Sequence, residues 1–280
     1  MRDAVELQTL AVIARQELRV LLHSRWVLAY AAVFGVLTFG VSYFGLAVVE
    51  FTGFQSFDRT AVSLVNLVLY VVPLAAMLMA VQSFRPEGGV TEQLLAEPVT
   101  RAEIVLGKLA GLAGAHLLAT LLGFGFTGAL IAVKVGTSGL PAYLAVVGYT
   151  LLVGVVFQAL GCLFTLAACR GLRAYALVMV AWFVLVLLFD LLVIGVTFLL
   201  PEAWANRLAL AALFANPIDA ARVATLLSVA GKEMFGPAGA QLTRALGGTA
   251  PATVLLTAIL VVWVLVPAGL ATAVLRRQDL

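Results

Sequence analysis

The chain reads as an all-α integral membrane protein with six transmembrane helices, and three observations carry that reading. Of its 280 residues, 63% are hydrophobic and only 11% are Asp, Glu, Lys or Arg, against roughly 25% charged residues in an average soluble domain. Mean hydropathy is +1.11, more apolar surface than a water-soluble globule of this size can bury. Six segments exceed the roughly 20 apolar residues that cross a hydrocarbon core of about 30 Å, and none alternates as barrel strands do. The same composition excludes a disordered chain.

Residues 5–25 come first. Leu7, Leu10, Ala14, Leu18, Leu21 and Leu22 recur at helical spacing, with Glu6, Arg15, Glu17 and Arg19 between them. That pattern predicts an amphipathic helix lying on membrane lipid at the inner surface. Arg25 and Trp26 mark the interface where the chain enters the bilayer. The spans are expected at 26–49, 60–84, 109–133, 141–168, 175–200 and 252–275. The first is too long for a signal-peptide core and follows too charged a segment, so it reads as an uncleaved helix. Pro73 and Pro267 fall inside spans 2 and 6, where they act as hinges or as simple bends.

Lysine and arginine set the orientation. With the N-terminus inside, cytoplasmic segments hold Arg2, Arg15, Arg19, Arg25, Arg85, Arg101, Lys108, Arg170, Arg173, Arg276 and Arg277. The two short outer loops hold Arg59 and Lys134. Arg207, Arg222, Lys232 and Arg244 lie in one long outer segment, where the positive-inside rule carries little weight. Both termini are therefore expected in the cytoplasm. The net charge of +3 and the pI near 9.1 follow from this bias rather than from nucleic-acid binding.

The most informative stretch lies between spans 2 and 3. Pro86 and the Gly88-Gly89 pair break the second helix. Val90 to Ala96 can form about two turns, presenting Leu94 and Leu95 beside Glu92, before Pro98 ends them. Thr100 and Glu103 then form a capping box that starts the helix into span 3. A short helix between two punctuated ends predicts a docking element over 87–98 rather than a bare connector. Residues 201–250 hold apolar runs shorter than a span, Trp204 to Phe214 and Ile218 to Val229, expected as short helices at the outer interface. Asn216-Pro217-Ile218-Asp219 is a helix start: cap, first-turn proline, first-turn acid.

Reactive groups are few. Neither Gly107-Lys108 nor Gly231-Lys232 continues into Ser or Thr, so no P-loop is spelled. Gly136-Thr-Ser-Gly139 resembles an intramembrane-protease motif, but His116 lies about 25–30 Å from Ser138 by helix rise, too far to act as its base. Two separated histidines, His23 and His116, cannot build a zinc site. Cys162 and Cys169 are about 10 Å apart on one helix, beyond disulfide reach. Cys and Met select soft ions such as Cu(I), yet Met77 and Met79 face different ways and Met179 and Met234 are isolated, a poor copper path. No catalytic or metal-ligating residue is assigned. Within the spans His116 and Asp190 are the groups that can titrate near neutrality. Asp190 is either a path or gating group or a packing contact, with Asn66 at similar depth as its potential hydrogen-bond partner. His116 is a packing residue or lines a polar inner crevice.

An amphipathic entry helix, six spans, a docking helix after span 2 and short outer helices after span 5 together resemble an ABC-2 (type-2 ABC exporter) permease. Glu87-Gly88-Gly89 through Gly107-Lys108, Phe189-Asp190-Leu191 and Asn216-Pro217-Ile218-Asp219 are similar to the NosY family, permeases of nitrous oxide reductase maturation in denitrification. The resemblance implies a homodimer in the bacterial inner membrane with two cytoplasmic ABC ATPase subunits that hold ATP and Mg. The permease itself would be no enzyme and bind no cofactor. It implies ATPase coupling through Glu87, Gly88, Gly89, Glu92, Leu94, Leu95, Pro98 and Arg101, with a second contact near Arg170 and Arg173. It further implies a periplasmic β-helical partner docking around Asn216, Pro217, Asp219 and Arg222, in the service of copper–sulfur cluster assembly. The alternatives are a general ABC-2 exporter of lipid, peptide or drug, and a secondary transporter working without an ATPase.

Overall fold

A computed structural model describes residues 6–52, 57–85, 99–135, 139–168, 171–229 and 236–277, and all of its regular structure there is helical. Helix α1 (Leu7–Leu22) precedes three long helices, α2 (Arg25–Thr52), α3 (Phe57–Phe84) and α4 (Arg101–Val135). Then come α5 (Leu140–Ala168), α6 (Gly171–Phe183), one π-helical stretch (Val184–Leu188) and α7 (Phe189–Thr197). The chain ends with α8 (Glu202–Ala215), α9 (Pro217–Val229), α10 (Gly236–Leu246) and α11 (Thr249–Arg277). Six helices, counting α6 through α7 as one, are long and apolar enough to cross a membrane. Span 3 begins earlier than the hydropathy suggests, because the capped helix starts at Arg101 and carries Lys108 inside it.

α5 is the central helix. Of its most apolar stretch, 61% is buried, against 11% for α6–α7 at the periphery. Tyr143, Val146, Val153, Phe157, Leu160 and Leu166 pack on α3, α4, α9 and α11. Lipid tails are as apolar as leucine, so such packing rests on close van der Waals fit and small residues rather than on a hydrophobic driving force. Pro73 and Pro267 sit inside α3 and α11, each of which runs on through its proline as one continuous helix.

Two elements depart from expectation. α1 does not turn all its leucines to one surface: Leu7 is 80% exposed, whereas Ile13, Glu17 and Leu21 form the buried stripe. The reason lies on α4. Gly107 and Gly111 leave a groove into which α1 fits; a Cβ at Gly107 would stand 2.8 Å from Ile13 Cβ, and one at Gly111 2.6 Å from Glu17 Cβ. The expected apolar face is thus shifted by backbone contact, and a glutamate joins it.

The second departure is α9. It is bent 96° from α8 at Asn216 and runs into the bundle instead of resting at a surface. Ile218, Ala220, Ala221, Val223, Ala224 and Leu227 are all buried, packed on α3, α5 and α11. The alanines make this approach possible, since small side chains let helix backbones come close.

Candidate functional site

Polar groups gather at three levels of the bundle, and the first lies where α1 meets α4. The capping box forms: Thr100 N–H donates to Glu103 Oε2 at 2.7 Å, and Glu103 N–H to Thr100 Oγ1 at 3.2 Å. The other carboxylate oxygen, Glu103 Oε1, accepts from Glu6 N–H at 2.6 Å, so one side chain starts α4 and satisfies the first turn of α1. Five residues further along α4, Lys108 is 1% exposed. Its Nζ donates to Ser83 O at 2.5 Å, stands 3.7 Å from Glu17 Oε2 and lies 5.3 Å from the Phe84 ring centroid. The last turn of α3, the start of α4 and the inner face of α1 are therefore held by one ammonium.

At the second level, α4 and α5 run antiparallel along a polar seam. Tyr143 O–H donates to Phe124 O at 2.6 Å, and Gln158 Nε2 to Leu112 O at 3.2 Å. Between these pairs, His116 is fully buried, its ring 5.5 Å from Tyr30 and set against the bare Cα of Gly154. Among the described residues neither ring nitrogen makes a hydrogen bond of good geometry, the Thr150 backbone being its nearest polar neighbour, and Gln158 Oε1 makes none. Tyr30 in turn shares a hydrogen bond with Thr120 at 3.0 Å.

The third level answers the question posed by Asp190. Its partner is Arg222 on α9, Nη1 to Oδ2 at 2.9 Å, and not Asn66, which is exposed on α3. The same Nη1 lies 2.9 Å from Asp219 Oδ1. Asn216 caps α9 through Ile218 N–H at 3.0 Å, as its position predicts, and its Nδ2 also donates to Leu185 O at 2.9 Å. Leu185 sits in the π-helical stretch, where Phe189 N–H reaches back to Val184 O and the wider turn frees a carbonyl.

Of the sequence-predicted coupling residues, Glu87, Gly88, Gly89, Glu92, Leu94, Leu95, Pro98 and Arg170 lie outside the described residues. Arg101 is half-buried at the head of α4, and Arg173 is exposed on α6. Asn216 and Pro217, expected at a partner surface, are buried, and Asp219 and Arg222 are engaged within the chain. Cys162, Met77 and Met79 are buried in the core, whereas Met179 is 45% exposed on α6. Among the described residues no three His, Cys, Asp or Glu side chains converge on a common point.

Sequence reasoning missed Glu17 and Lys108. A signal was present, since Ile13, Glu17 and Leu21 recur every four residues and Lys108 interrupts the glycine-lined face of α4.

The chain matches the model of the family described as ABC-2 family transporter protein over residues 11–280. It is an ABC-2 family transporter permease. Among curated relatives, it is 33% identical over 272 residues to a probable ABC transporter permease protein NosY of Stutzerimonas stutzeri, covering 95% of this chain and 97% of that one. It is 35% identical over 220 residues to the protein of the same name from Pseudomonas aeruginosa, covering 76% and 80%.

Proposed function

We propose that this permease couples ATP hydrolysis by a separate cytoplasmic ATPase to transport or mechanical work across the bacterial inner membrane, in the maturation of nitrous oxide reductase. The observation that carries the coupling is the clamp around residues 86–98. Ser83 and Phe84 before that segment, Thr100, Glu103 and Lys108 after it, and Glu6 and Glu17 of α1 are joined by ion pairs and hydrogen bonds. A push on 87–98 therefore reaches α1, α3 and α4 together. Two copies of the chain and two ATPase subunits form the working assembly, both termini face the cytoplasm, and ATP and Mg are held by the ATPase. A periplasmic β-helical protein is the expected partner on the far side, and the copper–sulfur cluster of the reductase the expected beneficiary. The identity to NosY proteins over nearly the whole chain supports that assignment.

A general exporter of lipid or drug is the second reading, and one observation favours it. A cavity of about 350 Å³ between α2, α3 and α6 is lined by Trp26, Tyr30, Tyr70, Leu74, Met79 and Trp182, among others. Its size and apolar walls suit a lipid tail or drug-sized group better than a bare ion.

Gentle purification from native membranes with mass spectrometry of the co-purifying proteins separates the readings. An ATPase with a periplasmic β-helical protein supports the maturation transporter. An ATPase alone supports the general exporter, and no ATPase rejects coupling altogether. Charge reversal at Glu92 or Glu87 is expected to leave the complex assembled while copper loading of the reductase fails. Normal loading in that variant counts against docking at 87–98.

A further inference from the structure

The cavity of about 350 Å³ between α2, α3 and α6 is a slot that follows the length of α3. Val71, Leu74, Leu78 and Gln82 line it at helical spacing, and Trp26 and Tyr30 of α2 face them. Tyr70 and Gln82 stand at its two ends, about 18 Å apart at 1.5 Å of rise per residue. At the deep end Trp182 Nε1 donates to Tyr70 O at 3.2 Å. Half of a hydrocarbon core of about 30 Å is about 15 Å, so the slot is as deep as the acyl region of one leaflet. We propose that it holds one acyl chain of an anionic phospholipid whose headgroup lies between Arg25 and Arg85.

The walls are apolar except at the shallow end, and there the chemistry changes. Gln82 Nε2 is buried and makes no hydrogen bond among the described residues, which leaves a donor for a ligand oxygen. Arg25 directly precedes Trp26 at the head of α2 and is exposed. Arg85 follows Gln82 by three residues, and its N–H to Val81 O at 3.0 Å carries the helical turn on to it, so it stands above the same face of α3. It too is exposed, and among the described residues neither arginine pairs with a carboxylate. The acids of the neighbouring α1–α4 contact, Glu17 and Glu103, are buried and already engaged, with Lys108 and with Thr100. Two unpaired cations and a spare amide donor at the mouth of an acyl-deep slot complement a phosphate carrying net negative charge.

The same features decide against other occupants. A zwitterionic phospholipid fills the slot equally well but gains less from two arginines, because its own cation opposes them. An uncharged apolar molecule leaves both arginines and the Gln82 amide without a partner. Arginines at this level can also snorkel to a headgroup while their stems stay against apolar surface, with Trp26 beside them at the interface. The leaflet is the inner one on the orientation proposed above, and the inference rests on that reading for nothing else. Such a lipid belongs to the surrounding bilayer, so the inference stands whichever cargo the permease serves.

The test is native mass spectrometry of the full-length chain released from nanodiscs of phosphatidylethanolamine and phosphatidylglycerol, with the retained lipid identified and counted. Phosphatidylglycerol is expected to be retained in preference. Arg25→Gln and Arg85→Gln should each cut that preference about fivefold, the worth of one cation near a charged membrane surface. Ala29→Trp, which fills the slot from α2, should remove the retained lipid of either kind while the thermal midpoint shows that the chain still folds. Should it fail to fold, the arginine variants decide alone. Equal retention of the two lipids by the wild type overturns the proposal, as does a preference that survives the double arginine variant. Efficient cross-linking of two copies through Val33→Cys would show the slot covered by a second chain, and overturns it equally.

Discussion

Lys108→Met is the sharpest perturbation of the clamp. The substitution keeps the length and apolar stem of the side chain and deletes only the ammonium. The contacts that go with it include the pair with Glu17 Oε2 at 3.7 Å, the bond to Ser83 O at 2.5 Å and the approach to the Phe84 ring at 5.3 Å. The Glu17 side chain is 8% exposed, so its carboxylate is left buried without a cation. Breaking a buried pair from one side costs about 3–5 kcal/mol, most of it the penalty on the abandoned charge. Glu17→Gln removes the opposite charge but leaves Lys108 bonded to Ser83 O, and should cost about 1–3 kcal/mol. In the double variant neither charge is stranded, so the combined loss should fall short of the sum by about 1–3 kcal/mol. Equilibrium unfolding of the full-length chain in mixed micelles, run as a double-mutant cycle, measures that difference. A coupling below about 0.5 kcal/mol would mean that the two residues do not sense each other, and the clamp argument would fail.

Three further outcomes follow from the same geometry. Gly154→Ala places a Cβ 2.0 Å from His116 Nε2, and with the ring stacked on Tyr30 the overpacking should cost about 1–3 kcal/mol; His116→Ala in the same chain should restore the thermal midpoint. Glu103→Ala removes the bonds to Thr100 and Glu6 and should cost about 1–2 kcal/mol, read as faster amide exchange in the first turns of α1 and α4. Asn216→Ala loses both the cap on Ile218 N–H and the bond to Leu185 O. It should lower stability by about 1–2 kcal/mol in the same unfolding assay, and wild-type stability would show that the cap carries no energy.

What was legible in the sequence was whatever local chemistry determines. Span number follows from the length of apolar runs, and the Thr100–Glu103 box and the Asn216 cap follow from residue types three positions apart. The partner of Asp190 was not legible, because Asp190 and Arg222 are separated by a bend whose angle no local pattern encodes. Depth alone nominated Asn66, and depth does not say which way a helix turns its face. The burial of α9 was hidden for a related reason: a short, mostly apolar helix of 13 residues reads alike at an interface and inside a bundle. Glu17 was misplaced because amphipathicity was judged against lipid, while the true neighbour is a glycine groove on α4.

The three polar levels differ in how completely they are satisfied, and that difference bears on which joints resist motion. At the α1–α4 clamp and at the α7–α9 contact, charged groups are paired and bonded, so separation exposes a charge and is costly. Along the α4–α5 seam, among the described residues, His116 makes no hydrogen bond of good geometry and Gln158 spends only its amide nitrogen. Sliding these two helices past one another forfeits few hydrogen bonds, and what opposes it is the imidazole of His116 seated against the bare Cα of Gly154. A displacement entering at the clamp therefore carries α1, α4 and the last turn of α3 together, while the rest of α3 stays packed on α5.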